Sequence, residues 1–266
     1  MVAPTTYGQW ALITGAGRPH GIGAGFAQQL AAQGFHLVLV DILAEELEKR
    51  AAELRQTYGV EVRPVPLDLG RHDFLPELER HTADLDLGLL VCNHMYTPLQ
   101  PAKLLDEPLE THLKILDINA RAYLLLVHTY GRYFVQRGRG GIILVSSGAA
   151  FHGTAYTAGY AANKAYQLIL GESLWYELKG TGVELLILTP GLTNTHHAGM
   201  SGYNPRMVME VEPVVAEALA NLGKKHWVVP GRLNKFLFFM LDHLMSRKRA
   251  IETIGRSIMG RGLGKE

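Results

Sequence analysis

Cysteine is almost absent from this chain of 266 residues, and Cys92 is the only one. A lone thiol excludes a disulfide framework and a thiolate metal cluster, and it fits a reducing cytoplasm. Excess charge is missing too. The chain has 26 Lys and Arg against 25 Asp and Glu, a formal net charge of +1. That balance makes no electrostatic case for nucleic acid as a partner. The N-terminal stretch MVAPTTYGQWALITGAG lacks the basic start and apolar core of a signal peptide. The apolar run from Phe236 to Leu241 stops at Asp242, far short of a bilayer's thickness, which argues against a membrane span. The 12 histidines show no ligand spacing with carboxylates, and adjacent His196 and His197 would point apart on a helix, so no metal is expected. No repeat, low-complexity tract or linker interrupts residues 1–266, which are expected to form one domain.

What remains is an ordinary soluble composition, 47% hydrophobic and 19% charged, ordered as alternating strands and helices. Trp10 to Ile13 reads as a buried strand. It enters GAGRPHGIGAG and then a helical pattern with Phe26, Leu30 and Ala31. Strand, glycine-rich turn and helix is the context a nucleotide-phosphate loop needs, with helix N–H groups facing an anion. Further strands are expected over Phe35–Val40, Val60–Pro66, Leu85–Val91, Gly141–Ser146, Val183–Leu188 and Trp227–Val229. Helices are expected over Ala44–Tyr58, 71–83, Pro108–Asn119, Arg121–Arg137 (these two separate or as one kinked helix), from Tyr160 to about Lys179, and over Glu212–Leu222. Such alternation implies a parallel sheet with helices on both faces.

In sheets of this kind ligands sit beyond the carboxyl ends of the strands. Thr14, Asp41, Asp68, Asn93, Ser147 and Pro190 all fall at expected strand ends. Asp41 stands where a carboxylate can accept from an adenosine ribose 2′-hydroxyl and repel a 2′-phosphate; it would serve equally as a helix N-cap. Arg18, inside the glycine loop, is the contrary signal, since an arginine can pair with a phosphate. NAD is expected over NADP.

Tyr160 and Lys164 lie four residues apart, one helical turn from each other. A phenol titrates near pKa ~10 and is a poor base at neutral pH, and a neighbouring ammonium brings it toward the working range. Ser147 stands thirteen residues upstream of the tyrosine, placed to hydrogen-bond the same substrate oxygen. A YxxxK pair also arises by chance, as a core tyrosine with a solvated lysine.

Jointly these motifs resemble the short-chain dehydrogenase/reductase family over nearly the whole chain. TGAGRPHGIG resembles its cofactor loop, giving Gly15, Arg18, Gly21, Ile22 and Gly23 as cofactor contacts. Asp68-Leu69 resembles its acidic pair at the adenine edge, and Asn119 its helix asparagine. Ser147, Tyr160 and Lys164 match its catalytic residues in type and spacing. Pro190-Gly191-Leu192-Thr193-Asn194-Thr195 resembles the segment that grips the nicotinamide carboxamide, through Pro190, Gly191, Thr193 and Thr195. The resemblance implies an α/β fold with a Rossmann-type doubly wound parallel sheet and a homodimer or homotetramer. Two features depart from it. Five residues separate Gly15 from Gly21 where the family has three, and Cys92-Asn93-His94-Met95 replaces Asn-Asn-Ala-Gly. The bulky His94 and Met95 are expected to narrow the wall near the adenosine ribose or to shift the loop that follows. Lengthened loops also occur in related enoyl reductases, which place a tyrosine seven residues before the lysine. Thr157 stands there, which argues against double-bond reduction.

By that resemblance Tyr160 takes the hydroxyl proton of a secondary alcohol, Ser147 holds the substrate oxygen, and Lys164 binds the nicotinamide ribose. Asn119 would link Lys164 to solvent through its main chain and a water. Tyr156 is expected as a pocket wall and Tyr166 as packing. Phe151, His152, Met95 and Tyr96, with a methionine-rich lid over HHAGMSGYNPRMVMEVEP, favour an apolar or steroid-like alcohol or ketone, while the same methionines read nearly as well as core packing. A 3-oxoacyl-thioester reductase and a silent nucleotide-binding protein remain as alternatives. Residues from about 231 to 266 form a helical extension, basic beyond Arg247 with Ile251, Ile254 and Ile258 on one face. A contact with a sister subunit is expected of it, ahead of a membrane surface or a disordered end.

Overall fold

In the computed structural model, residues 2–98, 100–196 and 205–259 are described. Seven strands form one all-parallel sheet: β1 Trp10–Thr14, β2 His36–Asp41, β3 Val62–Pro66, β4 Leu87–Cys92, β5 Gly140–Val145, β6 Val183–Leu188 and β7 Trp227–Val228. Their order is β3-β2-β1-β4-β5-β6-β7, so the winding reverses between β1 and β4 and opens a crevice there. β3 carries Pro64 and Pro66, which suits its place at the sheet edge, where a missing N–H costs no ladder bond.

The strands are apolar on both faces because helices cover both. Ala11, Ile13, Leu37, Leu39, Leu89 and Val91 face one layer with Phe26 and Leu30 of α2 (Ile22–Ala32) and Val214 and Val215 of α8 (Val211–Asn221). Leu12, Val38, Val40, Leu90 and Cys92 face the other, with Phe74 of α4 (Phe74–Arg80) and Tyr123, Leu126 and Phe134 of α6 (Ala122–Arg137). α3 (Ala44–Tyr58) turns only Leu47, Ala51 and Leu54 inward, and its polar face meets water.

The departures from expectation have local causes. The third strand begins at Val62 and not Val60, because pairing with β2 starts only at Leu37↔Val62. The fourth helix starts at Phe74 and not at 71, since Asp68 and Arg71 make a turn in which Arg71 N–H donates to Asp68. α5 (Leu109–Leu116) and α6 are joined without a break by a π turn over Asp117–Arg121, which carries Asn119. A short helix, α1 (Pro4–Tyr7), was not foreseen; its Tyr7 hydroxyl donates to Glu184 at the start of β6. α7 (Ala158–Glu177) carries Tyr160 and Lys164. The extension forms α9 (Arg232–Phe239), a π turn over Met240–Leu244, and α10 (Arg247–Met259). No helix among the described residues is long and apolar enough to cross a membrane.

Candidate active site

The glycine loop leaves β1 through Gly15, whose φ of +67° belongs to the left-handed region that favours glycine. A Cβ on Gly23 would fall on the Gly15 carbonyl oxygen, so the loop closes only because that position has no side chain. Gly21 caps α2, whose first intrahelical bond runs from the Gly25 N–H to the Gly21 carbonyl at 3.0 Å, so the N–H groups of Ile22, Gly23 and Ala24 precede the helical ladder, as in an anion site. The side-chain Nδ2 of Asn93, at the end of β4, donates to the carbonyls of Gly15 at 3.0 Å and Thr14 at 3.2 Å. Asn93 therefore ties the two central strand ends together. Asp41 Oδ2 accepts from the Gly17 N–H at 2.9 Å and Oδ1 from the Leu43 N–H at 3.2 Å, so this carboxylate stands at the end of β2 beside the loop. Gly17 belongs to the cradle and was missed, although its place two residues after Gly15 signalled it.

The additional residues of the lengthened loop have their own supports. The Gly21 N–H donates to the Arg18 carbonyl at 3.1 Å, and Arg50 of α3 donates to the Pro19 carbonyl at 3.1 Å. Arg18 is exposed on the rim. His20 lies against the His196 ring, centroid to centroid 4.0 Å, and so reaches from the glycine loop to the segment after β6. Asp68 is exposed and turns Oδ1 to the Gly70 N–H at 2.8 Å, while Leu69 is buried in the core and can offer only its main chain.

His94 does not narrow the crevice. It is 6% exposed, with Nδ1 2.7 Å from the Thr14 hydroxyl and its ring 4.4 Å from that of Tyr123. Burial, and then the nearby Lys164 charge, push its pKa down to about 3, so the ring is neutral. Only Met95, 47% exposed, faces outward.

The reactive side chains converge where β5 ends. Ser147 is extended, and its Oγ accepts from the Ala149 N–H at 3.2 Å. Burial raises the Tyr160 phenol above its usual value, and a hydrogen bond with Ser147 partly offsets the rise. Lys164 is 2% exposed, with Nζ 5.6 Å from the Tyr160 ring centre. Nζ donates to the Val145 carbonyl at 2.9 Å and to Gln167 Oε1 at 3.0 Å, and burial pushes its pKa down to about 7. Burial thus outweighs the expected lowering of the phenol pKa. Asn119 spends its side chain on the Tyr96 main chain, with one bond to the N–H and one to the carbonyl, both 2.7 Å. Its own carbonyl accepts from Gln167 Nε2 at 2.7 Å. Gln167 was overlooked, although a residue three after Lys164 shares its helix face.

The segment after β6 closes the third side. The Gly148 N–H donates to the Pro190 carbonyl at 3.0 Å, and Thr193 Oγ1 to the Gly191 carbonyl at 3.2 Å. Thr195 donates its N–H back to the Thr193 carbonyl at 2.9 Å. Both loops rest on the C-terminal extension. A Cβ on Gly148 would run into the Phe238 ring, and one on Gly191 would lie 2.7 Å from Asn234, which is itself buried. Phe151, expected in the pocket wall, instead packs on Phe238 and on Trp227. α10 reaches back over Gly153 and Ala155 through Ile251 and Gly255, so the tail docks on its own chain. The small pocket beside Tyr160 has a mixed lining, with Leu104, Ile115 and Tyr156 beside the polar Gln100, Glu107 and His112. Tyr156 is thus a wall as expected, whereas Tyr166 stands 37% exposed on the outside of α7. The lid expectation over 197–204, His197 included, falls outside the described residues, as does the tail beyond 259.

The pattern of the family described as short chain dehydrogenase matches residues 9–204. The 7beta-hydroxysteroid dehydrogenase of Collinsella aerofaciens is 33% identical over 239 residues, 86% of this chain and 88% of that protein. A structure described as giving insights into 7beta-hydroxysteroid dehydrogenase stereoselectivity superposes at a TM-score of 0.89 and 29% identity, over 96% of this chain and 99% of that one. A short-chain dehydrogenase from Sphingobium yanoikuyae in complex with NADPH superposes at 0.74 and 29% identity, over 94% and 95%.

Proposed function

Because the chain belongs to the short-chain dehydrogenase/reductase family and is an oxidoreductase by that membership, we propose that it interconverts a ring-bearing secondary alcohol, of the hydroxysteroid kind, and its ketone with NAD. The observation that carries this reading is the meeting of Tyr160, Ser147 and Lys164 at one strand end, beside a glycine cradle that any Cβ at position 23 would fill. Gly15, Gly21, Ile22 and Gly23 would hold the dinucleotide's diphosphate, with Arg18 at the rim; Asp41 and Asn93 the adenosine side; Asp68 and the Leu69 main chain the adenine edge; and Pro190, Gly191, Thr193 and Thr195 the carboxamide. When bound, the cofactor supplies the hydride acceptor or donor. Tyr160 takes the substrate's hydroxyl proton in oxidation and returns it in reduction. Ser147 bonds the substrate oxygen as charge develops on it. Lys164 supports the phenolate and reaches the ribose, while Asn119 fixes the loop after β4.

Asp41 at the end of β2 supports NAD over NADP, and a titration with both reduced dinucleotides tests that; tighter NADPH binding would reverse the assignment. The similarity to 7beta-hydroxysteroid dehydrogenases supports a ring-bearing substrate over a polyol, and Leu104 and Ile115 beside Tyr160 would give it apolar contacts. Exposed Leu109, Leu113 and Leu116 of α5 and Ile169 and Tyr176 of α7 suit burial against a second copy. Tyr160→Phe is expected to lower turnover by about 10³-fold with dinucleotide affinity changed less than about threefold. Turnover retained in that variant defeats the mechanism.

A further inference from the structure

Gln167 is 0% exposed and lies between the two helical segments that carry the reactive groups. Both ends of its amide are committed. Oε1 accepts from Lys164 Nζ at 3.0 Å, and Nε2 donates to the Asn119 carbonyl at 2.7 Å. The orientation is forced by chemistry. An ammonium only donates and a carbonyl only accepts, so a flipped amide would set donor against donor and acceptor against acceptor. Lys164 has a second fixed acceptor in the Val145 carbonyl, and the strand end holds that in place.

We propose that Gln167 is a positioning residue of this dehydrogenase: it aims the Lys164 ammonium beneath Tyr160 and keeps it charged in a buried site, with the Asn119 carbonyl as its anchor. The inference rests on the dehydrogenase reading for its consequence, but not for its geometry. Burial alone drives Lys164 toward its neutral form. A fixed amide oxygen opposes that, because hydrogen bonds to a charged group are the strong ones. The same amide fills the gap between Lys164 and the Asn119 carbonyl. Side-chain carboxamides pass protons poorly compared with water or hydroxyl, so at this point the gap is bridged by a holder and not by a relay. Among the described residues no carboxylate shifts Lys164: the groups facing it are Tyr160 and Tyr123, 5.6 and 5.9 Å away to ring centres, and neutral His94.

The test is an NMR titration of lysine side chains in the full-length protein, with the Lys164 signal identified by its loss in Lys164→Ala. Gln167→Met removes acceptor and donor at similar length, and the Lys164 midpoint is expected to fall by about one pH unit. Gln167→Glu keeps an acceptor and adds negative charge, and the midpoint is expected to rise. In alcohol oxidation, the acid limb of the kcat profile should move to higher pH in Gln167→Met, with KM for the alcohol little changed. Midpoints that coincide with the wild type in both variants overturn the proposal and reduce Gln167 to packing. If Gln167→Met does not fold, Gln167→Glu decides alone, by a raised midpoint or an unmoved one. A wild type that turns over no alcohol would sink the dehydrogenase reading instead, while the Lys164 midpoint would still settle what Gln167 does.

Discussion

The two halves of the sheet's carboxyl edge are held by different means. The glycine-loop half, at the ends of β1, β2 and β4, is fixed by close backbone approach, Gly15 against Gly23, and by side-chain bonds to main chain, Asn93 on two carbonyls and Asp41 on Gly17. All its parts lie between Trp10 and Asn93. The reactive half, at the ends of β5 and β6, is fixed by buried side chains and by support from far downstream, where Phe238 lies against Gly148 and Asn234 against Gly191. The first half should therefore respond to a methyl group that meets backbone, and the second to the removal of the side chains that prop it.

Gly23→Ala tests the first half hardest. Its methyl has no room beside the Gly15 carbonyl, and we expect dinucleotide affinity to fall by at least about 100-fold, with about 1–3 kcal/mol of stability lost. Calorimetric titration and denaturant unfolding measure both, and an alanine variant that binds normally would erase the contrast. Phe238→Ala should act on the other half alone. About 1–3 kcal/mol of stability and about tenfold of turnover are expected to go, with dinucleotide affinity within about twofold. An equal loss of affinity would mean that the two halves are one mechanical unit.

The smallest effect per step concerns the seam between them, where His94 touches Thr14 on one side and Tyr123 on the other. Its folded pKa of about 3 lies below the ordinary 6.5, so between these values the unfolded chain binds more protons. The His94 contribution to stability is then full above pH 6.5 and is lost as pH falls, by at most about 1.4 kcal/mol per unit. Lys164, with about 7 folded against 10.5, adds a further rise above pH 7. Melting temperatures across pH 4–6.5 should show a shallower slope in His94→Gln; equal slopes would remove His94 from the account.

Legibility followed the same division. Strand ends, the glycine cradle and the Tyr160–Lys164 spacing are local patterns, and period two or 3.6 decides where such side chains point. The parallel sheet and both covered faces were foreseeable from the alternation of elements, and the double winding from the family resemblance, whereas the strand order came from the structure. Direction beyond a strand end was not. Nothing near His94 in sequence says that it turns inward, because Thr14 and Tyr123 come from other elements. Nor could Asn234, Phe238 or the bond from Arg50 to Pro19 be read in advance, since each contact joins segments that only the folded sheet brings together. Gln167 is the intermediate case, adjacent to Lys164 by helix geometry but with a partner, Asn119, on another helix.

The docking of α9 and α10 also has a temporal meaning. A ribosome delivers this protein from its N-terminus, so the glycine loop and the ends of β1, β2 and β4 can come together while translation is under way. The props beneath Gly148 and Gly191 are made only later, at Phe238 and Asn234. A nascent polypeptide that has not reached them leaves its serine loop unsupported, so the two halves of the edge are completed at different times.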